Sequence, residues 1–139
     1  MKRRDFLNGL IAILASPAGA VASSKTLIVY RTESCGCCGA WVEKTEAQGF
    51  KTVVNFVTDK TLQSLKTDLR IKVELRSCHT ASIDDYFIEG HVPPKDIQEL
   101  LRERPKAMGL SVPGMPIGSP GMEMGDNKEP FETLLILEN

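Results

Sequence analysis

Three of the four cysteines in the chain, Cys35, Cys37 and Cys38, fall within four consecutive positions of the stretch SCGCCGAW. The residues around them decide where that stretch can lie. Before it runs Thr26 to Arg31 (TLIVYR), a short apolar and β-branched segment of strand type. After it, Gly39 to Gln48 reads as a helix: Cys38, Trp41, Val42 and Thr45 recur at helical spacing, and Gly49 supplies the stop. The cysteines therefore occupy a strand-to-helix turn. At such a turn the unpaired N–H groups of the first helical turn, and the positive end of the helix dipole, favour thiolate over thiol.

The rest of the chain repeats this alternation. Lys51 to Val57 is a valine-rich strand, and Asp59 to Arg70 is a second helix capped by Thr58 or Asp59, with Leu62, Leu65 and Leu69 on one face. His79 to Ile83 and Tyr86 to Val92 flank Asp84-Asp85 and predict a hairpin. Pro93-Pro94 opens a third helix that runs to about Arg104 and stops at Pro105. The order β-α-β-α-β-β-α is that of an α/β, thioredoxin-like domain, with the first two strands parallel through a helical crossover. Lys106 to Pro130, rich in Gly, Pro and Met, is too long for a simple connector and is expected to be a structured loop with a task. Phe131 to Leu137 adds one closing strand.

Residues 1–22 stand apart. Lys2, Arg3 and Arg4 precede an apolar run from Leu7 to about Leu14, and Ala20-Val21-Ala22 fits a small-x-small cleavage site. The run is far shorter than the ~20 apolar residues that span a bilayer, so no stable membrane anchor is expected after cleavage. Arg3-Arg4-Asp5-Phe6-Leu7 is similar to a twin-arginine export signal, with a general secretory signal as the alternative. The expectation is a cleaved signal at 1–22, a single domain at 23–139 and a periplasmic location, where a disulfide is allowed. With 17 basic and 18 acidic residues the chain lacks the basic footprint of a nucleic-acid binder.

Cys35 and Cys38 have C-x-x-C spacing, the arrangement of a redox pair. Cys37 complicates that reading. Its Cα lies only about 3.8 Å from that of Cys38, against the roughly 4.4–6.8 Å that an unstrained disulfide spans. The extra nucleophile brings no obvious advantage to a disulfide exchanger, whereas crowded, divergent thiolates suit several soft ions such as Cu(I). A single tetrahedral zinc usually draws on two knuckles, and only one is present. The cysteines alone thus leave open a metal site, a thiol–disulfide oxidoreductase using Cys35 and Cys38, and a structural disulfide or zinc module. They do not decide whether the chain is an enzyme.

Cys78 bears on the choice. In a thioredoxin-like fold the loop entering the third strand faces the C-x-x-C motif and usually presents a proline, yet here it reads Arg76-Ser77-Cys78-His79-Thr80. Cys78 is then predicted to meet the other three, which favours metal. Weaker ligand candidates are His79, which as a strand neighbour of Cys78 could equally point to the other face, and the loop methionines Met115, Met122 and Met124, which could equally fill apolar gaps. His91 reads as a hydrogen-bonded structural histidine, and Trp41 as core.

The motifs CGCCGAW, SCHTA, IEGHVP, LLRERP and VPGMPIGSPGMEMG, in that order, resemble the family of small bacterial domains typified by periplasmic copper-resistance CopG. The resemblance runs from Leu27 to Met124. It implies an exported, thioredoxin-like protein associated with copper-efflux and copper-resistance systems. It also implies Cu(I) bound by Cys35, Cys37, Cys38 and Cys78, as a multinuclear copper–thiolate cluster with redox activity. Its partners would be copper ions and copper-efflux or copper-chaperone proteins.

Overall fold

The computed structural model describes residues 26–138; the expected export signal and its cleavage point lie outside them. Ten short elements follow in order: β1 (Thr26–Arg31), α1 (Gly36–Ala47), β2 (Lys51–Phe56), α2 (Asp59–Asp68), a 3-10 turn (Val73–Leu75), β3 (Thr80–Ile83), β4 (Tyr86–Glu89), α3 (Pro94–Glu103), β5 (Gly109–Ser111) and β6 (Leu134–Ile136). The strands form one six-stranded sheet in the order β2-β1-β3-β4-β5-β6. β1 pairs parallel with β2, and β3 lies antiparallel to β1 and forms a hairpin with β4. This is the expected thioredoxin-like arrangement, extended at one edge. Among the described residues no helix is long and apolar enough to cross a membrane.

The strands obey the two-residue period of a half-buried sheet. Leu27 and Val29 are fully buried while Ile28 between them is 39% exposed. They join Trp41, Ile88, Val92 and Ile97 in the core. The indole N–H of Trp41 donates to the Val92 carbonyl (2.9 Å), so its one polar atom is satisfied inside that core.

Several boundaries and one element differ from the sequence expectation: α2 ends at Asp68 rather than Arg70, and β4 at Glu89 rather than Val92. α1 begins at Gly36 rather than Gly39, because Cys35 takes an extended conformation (φ −82°, ψ 90°) and serves as the cap. Cys37 and Cys38 therefore lie in the first turn. The last strand is shorter than Phe131 to Leu137. Most of all, the long loop contains β5, which pairs parallel with β4. A Cβ on Gly109 would stand 2.0 Å from the Phe87 carbonyl oxygen, so this close approach of backbones requires glycine.

The face of α2 also differs from a plain leucine stripe. Leu62 is buried, but the other fully buried residue of the helix is Lys66. Its ammonium forms an ion pair with Glu89 and donates to the Thr80 hydroxyl at 2.9 Å. The Thr80 hydroxyl donates in turn to the second Glu89 oxygen (2.7 Å), and the Ser77 backbone N–H donates to the first (2.8 Å). Every charge is thus compensated in the interior, and one carboxylate ties α2, β3, β4 and the segment before β3 together. Removing one partner of such a buried pair strands the other charge, which typically costs about 3–5 kcal/mol. Lys66→Met is therefore expected to lower unfolding free energy by about that amount in equilibrium denaturation, a far larger loss than Lys60→Met at an exposed position of the same helix.

Candidate functional site

β1 delivers the chain to a turn that Arg31 holds in place. Its guanidinium donates to the carbonyls of Thr32 (3.2 Å) and Cys35 (2.7 Å) and lies 5.2 Å from the ring centroid of Phe56. Cys35 then caps α1, and Cys35 and Cys38 are joined by a disulfide across Cα atoms 5.4 Å apart. That separation falls inside the unstrained range, which the adjacent pair Cys37 and Cys38 cannot reach. Cys38 is fully buried, whereas Cys37 is partly exposed. The Cys37 Sγ lies 3.5 Å from the Cys35 Sγ and 4.0 Å from the Met115 thioether.

Cys78 reaches the same place from the other side of the sheet end. β1 and β3 are antiparallel, so the residues that follow β1 meet those that precede β3. The Sγ atoms of Cys35, Cys37, Cys38 and Cys78 all lie within 4.8 Å of one another. Burial, and then the neighbouring Cys37, push the Cys78 thiol up to about 12, so it is protonated at neutral pH.

Two histidines stand behind Cys78. His79 Nδ1 lies 3.3 Å from its Sγ and His91 Nε2 lies 3.1 Å away. His79 directly precedes β3 and turns towards Cys78, not to the opposite face. The His79 ring is wholly buried between Trp41 (centroids 4.5 Å apart) and His91 (5.1 Å), and its Nε2 has no hydrogen-bond partner. Burial is the main cause that holds both imidazoles below their ordinary range, for His79 reinforced by His91, Lys66 and Arg31. Both are therefore neutral bases at physiological pH.

His91 was read from the sequence as structural, and it does hydrogen-bond, with Nδ1 2.6 Å from the Pro120 carbonyl. Its position beside Cys78 follows from the hairpin register. The hairpin pairs Ile83 with Tyr86 and Thr80 with Glu89. Continuing that register past the His79–Gly90 hydrogen bond sets Cys78 opposite His91. The Asp84-Asp85 turn fixes this pairing, because it fixes every pair of the ladder.

Residues 112–125 cross the site as a strap. The Ser77 hydroxyl donates to the Gly114 carbonyl, and Gly114 N–H donates to Arg76 O (3.1 Å). Gly121 (φ +89°) packs on α1 so closely that a Cβ would stand 2.8 Å from Trp41 N and 2.9 Å from Cys37 O. Glu123 ties the strap to α1 through Lys44 (2.6 Å). Of the loop methionines, Met115 is brought to the cysteines. Met122 is half-buried and its backbone closes turns with Gly118 and Ser119, while Met124 is exposed and bridges to Asn127.

Known proteins share the fold that carries these residues. Residues 75–122 match a family described as a protein of unknown function, DUF411, a span that includes Cys78, His79, His91 and Met115. The chain is similar to a solved structure of a copper resistance protein CopG, form 2, at 42% identity and a TM-score of 0.75. That match covers 81% of this chain and 89% of the other. It is likewise similar to form 1, at 44% identity and a TM-score of 0.73, over 79% of this chain and 86% of the other. No curated protein matches the chain.

Burial makes Cys78 a slow nucleophile. With the disulfide intact, iodoacetamide at pH 8 is expected to modify Cys78 at least about tenfold more slowly than it modifies free cysteine. The Cys78 rate should climb by about tenfold per pH unit as its thiolate fraction grows, since the raised value keeps it protonated across the range. Mass spectrometry of the alkylated Cys78 peptide reads the rate at each pH.

Proposed function

This chain belongs to the CopG-like family of copper resistance proteins, and on that footing we propose that it is an extracytoplasmic Cu(I)-binding protein of copper resistance or homeostasis. In this reading residues 1–22 are a cleaved export signal, and residues 23–139 are a single thioredoxin-like metal-binding domain that works in the periplasm.

The observation that carries the reading is the convergence of four sulfurs within 4.8 Å, from two separate parts of the fold. Thiolates are soft donors and select Cu(I) among biological metals. A dithiol donor, itself becoming a disulfide, would supply the two electrons and two protons that open the Cys35–Cys38 bond to two thiols, and loss of protons from all four cysteines would then yield the full thiolate set. Cys38 is buried and Cys37 is partly exposed, so the thiolates would reach from the interior to the open edge of the site, where they could bridge several Cu(I) ions. Met115, at the exposed side of Cys37, adds a thioether where copper would enter or leave. Copper-efflux or copper-chaperone proteins would be the exchange partners.

A second reading draws on the disulfide itself. Cys35, half-exposed at the cap of α1, and Cys38, buried one turn in, are placed as the attacking and resolving thiols of a thiol–disulfide oxidoreductase. It predicts turnover of a disulfide substrate by metal-free protein, with Cys37 and Cys78 dispensable.

Anaerobic titration of the reduced protein with Cu(I), against a competing chelator, decides between them. The expected result is tight binding of more than one ion per chain, weakened at least about tenfold in Cys37→Ser and in Cys78→Ser. Absence of tight binding, or affinity unchanged in Cys37→Ser, overturns the cluster reading. Disulfide turnover that survives both substitutions establishes the oxidoreductase instead.

A further inference from the structure

We propose that the free edge of β2 is an interface for a second copy of this chain, and that two copies join through it into one continuous sheet. The inference stands apart from the copper reading, since it draws on no residue of the cysteine site.

The sheet ends in β2 on one side and in β6 on the other. An edge strand offers unpaired N–H and C=O groups to any other strand, and proteins that stay monomeric blunt it with shortness, charge or proline. β6 is blunted in all of these ways. It has three residues, it lies between Glu132 and Glu138, and Pro130 stands shortly before it. β2 is not. It runs for six residues (KTVVNF) without glycine or proline, and its one charge stands at the first position. The exposed apolar side chains of Ile28, Val53 and Phe56 lie on it or on the strand beside it.

Pairing with β1 fixes which backbone groups are free. The Val57 N–H donates inward to the Arg31 carbonyl (2.9 Å). Alternation along the strand then turns the N–H and C=O of Val53 and Asn55 towards β1, and those of Thr52, Val54 and Phe56 outward. Among the described residues no strand pairs with that outer side. The same alternation puts Lys51, Val53 and Asn55 on the face that carries Ile28, the partner of Val53. On this face α2 reaches Thr80 through Lys66, yet it leaves Val53 51% exposed.

A second copy fits this edge by symmetry. With the two strands antiparallel and a two-fold axis through Val53, Thr52 of each copy faces Val54 of the other, and both pairs exchange their outward N–H and C=O groups. Val53 meets Val53 of the second copy in a non-hydrogen-bonded pair, where side chains stand closest. Packing of β-branched side chains across strands is favourable, and Ile28 of each copy continues the patch. Lys51 comes opposite Asn55 of the second copy, so no like charges oppose each other within the paired strands. β1 and β2 both run towards the cysteine end, so the two sites of such a pair lie at opposite ends of the joined sheet and neither covers the other. A six-residue edge is small beside the roughly 800 Å² per partner of a standard interface, so the association depends on concentration.

Sedimentation equilibrium of the full-length protein, from about 5 µM to about 1 mM, is the test. The expected result is a monomer–dimer equilibrium, with the particle mass rising towards twice the 15.3 kDa of one chain. Val53→Lys sets two ammonium groups against each other on the axis and should weaken the dimer at least about tenfold. Leu135→Lys, at the β6 edge, should leave it unchanged. Should Val53→Lys fail to fold, Thr52→Pro replaces it, because it deletes an outward donor and no bond to β1; the same loss is expected. In the wild-type protein, hydrogen exchange at the Thr52 and Val54 amides should slow as concentration rises. A protein that stays monomeric at the highest concentration, a dimer indifferent to the β2 substitution, or one broken by Leu135→Lys overturns the proposal.

Discussion

A single carboxylate sits where the layers of this domain meet. Glu89 is fully buried, and its two oxygens take the ammonium of Lys66, the hydroxyl of Thr80 and the backbone N–H of Ser77. A buried charge is tolerated only when it is answered on every side. Here the answers come from α2, from β3 and from the segment that leads into it. Those last two flank Cys78 and His79. The ion pair therefore anchors the second half of the site, as the Arg31 guanidinium anchors the turn before α1 in the first half.

The two halves behave differently. The cysteines of α1 travel with a helix whose first turn is held by a covalent bond. Cys78 and its histidines travel with a hairpin ladder. The meeting of four sulfurs is a property of how these two units are docked, and this explains why sulfur and nitrogen donors accumulate at one end of the sheet. There β1, β3 and β4 all release side chains that need not alternate between faces.

How much of this could be read without coordinates follows from the range of each signal. The strand-to-helix turn at Cys35 was plain because strong local patterns flank it, and the place of Cys78 followed from the order of strands. The Asp84-Asp85 hairpin was also plain, but Cys78 and His91 lie two positions beyond the last ladder pair, Thr80 with Glu89, where strand alternation no longer marks them. β5 was hidden because three residues among glycines and prolines carry no period, and their strand character comes from pairing with β4. Lys66 was hidden for a different reason. A leucine pattern at 62, 65 and 69 accounts for the helix face well enough that a lysine within it reads as solvated. Only the fold reveals that Glu89 waits opposite.

The strap gives the site a property that none of its donors possesses. It touches the helix unit through Gly121 and Lys44, and the hairpin unit through Pro120 and Ser77. Its span is thus a gauge for the gap between them. Lengthening or shortening it by a residue would move the cysteines of α1 relative to Cys78 without changing any of those residues. On the metal-binding reading proposed above, ion preference could then drift through loop length alone, and sequences with identical cysteines need not hold the same metal.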